Sequence, residues 1–205
     1  MTSTHVSIIT PMTRPGNFNI IHQSIVTATS GLDMTWEWLI TVDAPTVPNE
    51  LSRVPANVWV GALPTNGQGI KGNMQRSNCK QHVTGDWIKM LDDDNMMHER
   101  YFRVILPIMK SRPDCAIVVN QINHDGQLRL VATPENMRVG GVDHDQGIFP
   151  TYMLDGWVWS PGDYCQDGVL FHTRYWKYPD KFVFVRENLS WYNKLRPDWP
   201  KEHIR

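Results

Sequence analysis

"KMLDDDNMMHE", residues 89–99, sets three consecutive carboxylates, Asp92, Asp93 and Asp94, directly after an apolar run and before a segment with helical spacing. The run that feeds it, Trp87 to Leu91, has the length and composition of a buried strand. In an open α/β sheet ligands bind outside the carboxyl ends of the strands, and Asp92 to Asn95 falls at such an end. The plainer alternative is that the aspartates cap the following helix, since Asp is favoured at N-caps and in first turns. One cap does not use three carboxylates. An EF-hand loop fails the count: with Asp92 first, Met97 falls where Gly is needed and Arg103 where the bidentate Glu belongs, and starting at Asp93 fails equally. Clustered carboxylates at a strand end suit a hard divalent cation, Mg²⁺ or Mn²⁺, that also binds phosphate oxygens.

Working outward, apolar runs alternate with helical segments. His5 to Thr10 reads as a strand stopped by Pro11, and Asn17 to Ser30 as a helix closed by Gly31. Trp36 to Val42 and Val58 to Val60 follow as strands, Lys71 to Thr84 as a helix. Beyond the acidic run, Met97 to Leu106 reads as a helix ending before Pro107. Cys115 to Asn120, Leu128 to Val131 and Lys181 to Val185 add strands, with a helix over Asp167 to Tyr175. Such alternation predicts an α/β fold with a largely parallel central sheet covered by helices on both faces. Gly140 to Asp167 differs, being rich in Gly, Asp and aromatic residues and without periodicity. Its "GGVDHDQG", residues 140–147, is a lid candidate, with a second metal site at Asp143, His144 and Asp145 as the weaker alternative.

A chain of 205 residues, 41% hydrophobic and 20% charged, is sized for one domain. The formal net charge of −1 gives no general pull toward nucleic acid or an anionic membrane. Cys79, Cys115 and Cys165 are odd in number and widely spaced, which indicates neither a disulfide framework nor a zinc site. No leader-like or membrane-spanning stretch is visible, so the expectation is a cytoplasmic protein.

The spaced set in "GNMQRSNCKQHVTGDWIKMLDDDN", Gly72 to Asn95, resembles the core signature of family 2 glycosyltransferases of the GT-A fold: an arginine-bearing helix, a Gly-acidic-aromatic step, an apolar strand, then D-x-D. "VSIITPMTRP", residues 6–15, is similar to the first strand and its Thr/Pro/Arg turn; "WEWLITVDAPT", residues 36–46, to the second strand and its aspartate. "YCQDGVLFHTRYWKYPDKFVFVRENLSWY", residues 164–192, is similar to the acidic motif, helix and strand that close the domain. The resemblance implies a single Rossmann-like nucleotide-diphospho-sugar transferase domain over 1–205, with 1–95 as the nucleotide-sugar half and 96–205 as the acceptor and catalytic-base half.

What it implies residue by residue is as follows. Thr10, Pro11, Arg14, Asp43, Arg76, Asp92 and Asp93 would border the donor, a UDP-sugar by family habit. Asp94 and Asp92 would hold Mn²⁺ or Mg²⁺, and Asp167 would be the catalytic base of an inverting, metal-dependent transfer to an acceptor hydroxyl. Trp157 and Trp159 are weaker candidates for acceptor contact, because an aromatic face can stack on a sugar. Trp176 reads as core, and Met96 and Met97 as packing beneath the metal loop.

Three departures stand against the pattern. Gln166 precedes Asp167 where a second acidic residue is common, and Ala44 follows Asp43 where a second aspartate is common. A histidine completing the metal site has no clear counterpart, leaving His172 and His203 as candidates against the reading of solvated surface histidines. Two other classes compete. A haloacid-dehalogenase-type phosphatase fits poorly, because Met96 follows Asn95 where Thr or Val is usual and the motif lies far from the N-terminus. A catalytically silent nucleotide-sugar or carbohydrate-binding protein is the alternative function.

Overall fold

The computed structural model describes residues 3–66 and 72–196. Eight strands form one mixed sheet between two helical layers: β1 (Thr4–Met12), β2 (Met34–Val42), β3 (Val58–Ala62), β4 (Trp87–Met90), β5 (Ala116–Asn123), β6 (Leu128–Leu130), β7 (Gly147–Pro150) and β8 (Phe182–Tyr192). The spatial order runs β3, β2, β1, β4, β7, β5, β6, with β8 parallel to β5. β1, β2, β3 and β4 are all mutually parallel neighbours, as the alternating pattern predicts.

Sequence alternation separates the two cores. Ile8, Trp38 and Ile40 face α1 (Phe18–Thr29) and α3 (Tyr101–Ser111), while Ile9, Leu39 and Ile88 share the other core with residues of α2 (Asn73–Lys80) and α4 (Gln166–Lys177). In α1 the buried Phe18, Ile21, Ile25 and Ala28 recur at helical spacing, and Gly31 turns the chain away at φ +71°.

Three elements depart from the sequence expectation. β1 runs on through Pro11, because its pairing with β4 ends at Ile9 and the missing N–H faces that side, so no ladder bond is lost. α3 begins at Tyr101 and continues through Pro107, which lies on the exposed face while Ile105, Leu106 and Met109 keep the inner face packed. The largest correction is at Gly140 to Asp167. This segment is no surface lid: His144, Asp145 and Gln146 are buried, and β7 inserts antiparallel between β4 and β5.

Candidate active site

The carboxyl ends of β1, β2 and β4 lie side by side and open onto one crevice. At the opposite end of β4, Gly85 lies so close to β1 that a Cβ would come within 2.6 Å of the Ser7 nitrogen, and its own N–H donates to Ser7 Oγ at 2.8 Å, which lets β4 enter the sheet beside β1. Gly72, at φ +95°, opens α2 beneath Pro11 and leaves room for the Arg76 guanidinium.

The three aspartates of the acidic loop have different surroundings. Asp93 is buried; its carboxylate accepts hydrogen bonds from the Thr13 N–H, the Thr13 hydroxyl at 2.9 Å and the Arg14 N–H at 2.7 Å, and pairs with the Arg14 guanidinium. It ties the turn after β1 to the loop after β4, so it shapes the edge of the crevice and has little capacity left for a ligand. Asp92 keeps 30% of its side chain exposed and pairs with Arg76, whose guanidinium is buried. Asp94 is flanked by Arg14 and Arg196, each 3.5 Å from its Oδ2. Burial first, and then the charges of Asp92 and Asp93, push the Asp94 carboxyl up to about 7, against the pull of the two arginines.

Beneath the loop is a polar floor supplied by the segment before β7. Asp145 accepts from the Asp92 N–H at 2.9 Å and from the Asn95 side-chain amide, while the buried Lys89 ammonium donates to the Asp145 carbonyl and sits 4.9 Å from the centre of the Tyr101 ring. Burial lowers the Lys89 pKa to about 8 and raises that of Asp145, each group being driven toward its neutral form.

Two cavities meet above the loop. One, about 430 Å³, is bounded by Pro11, Arg14, Gly72 and Asp93. The other, about 370 Å³, is bounded by Asn73, Arg129, Asp143 and Asp167. Arg76, Asp92, Asp94, Tyr164 and Arg196 line both. Asp167 stands in the first turn of α4 and accepts from the Gly168 N–H at 2.7 Å. Burial, and then the charge of Asp143, push its carboxyl up to about 6. That is the range in which a carboxylate can take a proton near neutral pH. A larger apolar groove of about 580 Å³ lies over α1, with Ile20, Met97 and Trp191 on its walls; none of the acidic-loop carboxylates lines it.

The structure thus brings Pro11, Arg14, Arg76, Asp92, Asp93, Asp94 and Asp167 to one crevice. Other expected residues line neither of these two cavities. Thr10 is fully buried, its hydroxyl accepting from Trp38 Nε1 at 2.8 Å, so its side chain supports β1. Asp43 is at the end of β2, where its carboxylate accepts from the Thr65 N–H at 2.7 Å and from the Thr65 hydroxyl. Trp159 is 1% exposed and donates to His144 Nε2, which removes it from acceptor contact; Trp157 packs edge-on against it and close to Arg174. Trp176, expected in the core, is 73% exposed on the outer side of α4. His172 contacts the Met137 carbonyl at 3.2 Å and lines neither cavity; His203 lies outside the described residues. Met97 is buried beneath the loop as expected, and Met96 lines the apolar groove.

Sequence reasoning missed Asn73, Arg129, Tyr164 and Tyr192. The Arg129 guanidinium stacks 3.6 Å from the centre of the Tyr192 ring and pairs with Asp143 at 3.4 Å. Nothing in "LRL" announces this, but Asp143 with Gln146 three residues on is a readable capping box.

Asp92 and Asp94 suit a hard divalent cation. Among the described residues no three His, Cys, Asp or Glu side chains gather as a self-sufficient metal cage. Mg²⁺-like ions are nevertheless commonly held by one or two carboxylates, with substrate phosphates and water completing the shell. The Asp94 carboxyl is raised by burial and then by the charges of Asp92 and Asp93, and added positive charge beside it would favour its ionised form.

As a sequence the chain matches no protein-family model and no curated protein. As a structure it is similar to S. aureus TarS residues 1–349, with a TM-score of 0.70 at 11% identity over 92% of this chain and 60% of that one. The same protein in complex with UDP aligns with a TM-score of 0.66, and in complex with UDP-GlcNAc with 0.65, both at 13% identity over 92% of this chain. This chain spans 60% and 58% of those two structures. The likeness is one of fold: the α/β, GT-A-like arrangement that the sequence resemblance implies.

Proposed function

We propose that this protein is a glycosyltransferase that moves a sugar from a nucleotide-diphosphate donor, a UDP-sugar, to an acceptor hydroxyl with inversion. The observation that carries the proposal is that the acidic pair Asp92 and Asp94 and the carboxyl of Asp167 line one cavity. The solved structures of the same fold with UDP and UDP-GlcNAc support the choice of donor.

In this reading residues 1–95 bind the donor and 96–205 supply the base and the acceptor cavity, although Tyr164 and Arg196 from the second half also line the donor side. Asp92 and Asp94 would hold Mn²⁺ or Mg²⁺, which when bound acts as a Lewis acid toward the departing diphosphate. Arg76 holds Asp92 in place, and Arg14 and Arg196 add positive charge beside Asp94. The Asp167 carboxylate removes the proton from the acceptor hydroxyl; the new bond forms from that oxygen to the anomeric carbon, whose bond to the phosphate oxygen breaks with both electrons leaving on the nucleotide. One base and one leaving-group clamp suffice for inversion.

Gln166 does not weaken this assignment. Its buried amide donates to Asp163 at 2.7 Å and accepts from the Ser160 N–H at 3.0 Å, holding the loop before α4, while Asp167 faces the cavity. The testing experiment is thermal unfolding with UDP-, GDP-, CDP- and dTDP-sugars, with and without Mn²⁺, followed by a transfer assay with the series that binds. A ligand at about 100 times its dissociation constant adds roughly 2.7 kcal/mol to the native state. A metal-requiring shift with one nucleotide series supports the donor site. Shifts without any transfer would leave a carbohydrate-binding protein, and no shift in any series would refute the donor reading.

A further inference from the structure

Tyr164 occupies an unusual place. It is 81% exposed, yet it lines both cavities of the crevice, standing where the donor side meets the side that holds Asp167. Exposed aromatic rings are ordinarily carried by loops with freedom to move, and this loop is tied from several directions. The Asn73 amide donates to the carbonyls of Ser160 at 2.7 Å and Asp163 at 2.8 Å. The Trp159 N–H donates to Ser77 Oγ at 3.0 Å, and the Cys165 N–H to Asp163 Oδ1 at 2.9 Å. Trp159 beneath is buried. Among the described residues no hydrogen bond or ring contact engages the Tyr164 ring itself. The backbone is held firmly and the ring is left uncovered.

We infer that Tyr164 is the platform for the sugar being transferred, its ring covering the apolar C–H face of a hexopyranose whose anomeric carbon lies between the acidic loop and Asp167. The inference rests on the donor reading above and adds to it the residue that recognises the sugar, as distinct from the nucleotide. Trp157 and Trp159, which the sequence offers for acceptor contact, are turned into the protein's interior side of this loop, and Tyr164 is the aromatic residue that the loop presents to the crevice. A flat ring on a held backbone loses little conformational freedom on binding, which suits a contact made anew in every turnover. Pyranose selectivity would then follow from the ring's distance to Asp94 and Asp167, not from the nucleotide pocket.

The test is calorimetric titration, with Mn²⁺ present, of the wild type, Tyr164→Phe and Tyr164→Ala with UDP and with UDP-GlcNAc, UDP-glucose and UDP-galactose. Because the side chain is exposed, both variants should unfold at the wild-type temperature, which is measured alongside. Tyr164→Ala should bind the preferred UDP-hexose about tenfold more weakly while binding UDP unchanged, and Tyr164→Phe should restore most of the difference, as expected of a ring contact. Equal weakening for UDP and UDP-hexose, or no change for either, overturns the platform while leaving the donor site standing. A wild-type protein that binds neither UDP nor any UDP-hexose removes the donor reading and this inference with it.

Discussion

Below the acidic loop and above it, the protein uses the same residue type to opposite ends. Asp93, at the edge of the crevice, and Asp145, beneath it, are buried, and each carboxylate is met by N–H donors from a distant segment of chain: Thr13 and Arg14 for the one, Asp92 and Asn95 for the other. Asp92, Asp94 and Asp167 line the cavity, and burial with the charge of neighbouring carboxylates raises the pKa of Asp94 and Asp167. Three adjacent aspartates in sequence are therefore two kinds of residue in space. What separates them is how many donors the fold brings to each oxygen.

The sharpest way to break this division is at Asp167. Asp167→Asn keeps the shape and loses the proton acceptor, so transfer should fall by about a thousandfold, within the range general-base catalysis supplies. Donor affinity should stay within about twofold by calorimetry, because the change is confined to the transition state. Near-normal transfer would remove Asp167 as the base. Next in size is a stability contrast within the loop itself. Asp93→Ala should lower the unfolding free energy in urea by about 3 kcal/mol, since it strands buried donors. Asp94→Ala should cost under about 1 kcal/mol in metal-free buffer, because its charged form is already disfavoured, yet it should abolish metal-dependent donor binding. Similar losses for the two variants would erase the distinction.

A pH profile sharpens it further. Asp167 must be ionised to act, and its pKa is raised to about 6, so transfer should climb with pH through about 6 and fall about tenfold for each unit below. A rate that is flat down to pH 4.5 would mean a base with an ordinary carboxylate pKa. The smallest effect belongs to the outer side of α4: Trp176→Ser, at a site 73% exposed, should change stability by less than about 0.5 kcal/mol, whereas a core tryptophan would cost several.

Much of this division was visible in sequence on the donor side and little of it on the floor. β1, β2 and β4 announce themselves because each is a run of β-branched and aromatic residues ended by a turn signal, and the acidic loop follows one of them directly. β7 does not, because "GIFP" is four residues long, buried on every side and too short for any period to show. The sequence offers Asp145 only within a weaker metal-site reading, and its place beneath the acidic loop is hidden for the same reason: its partners Lys89, Asp92 and Asn95 are about fifty positions away in the chain, and they meet only because β7 inserts beside β4. Trp159 and Trp176 were assigned to the wrong sides because composition identifies an aromatic cluster without saying which member faces inward. Pro107 reads as a stop after Leu106, while its exposed position lets α3 pass through to Ser111.

The antiparallel insertion of β7 also bears on how the chain acquires its structure. Until residues 147–150 arrive, β4 has β1 on one side and an open edge on the other, and the loop that follows it lacks the carboxylate that receives the Asp92 N–H. An unpaired apolar edge invites pairing with another chain. A fragment ending after Gly141 should therefore aggregate, and during synthesis the acidic loop should settle late, after the ribosome has delivered a segment about fifty residues beyond it.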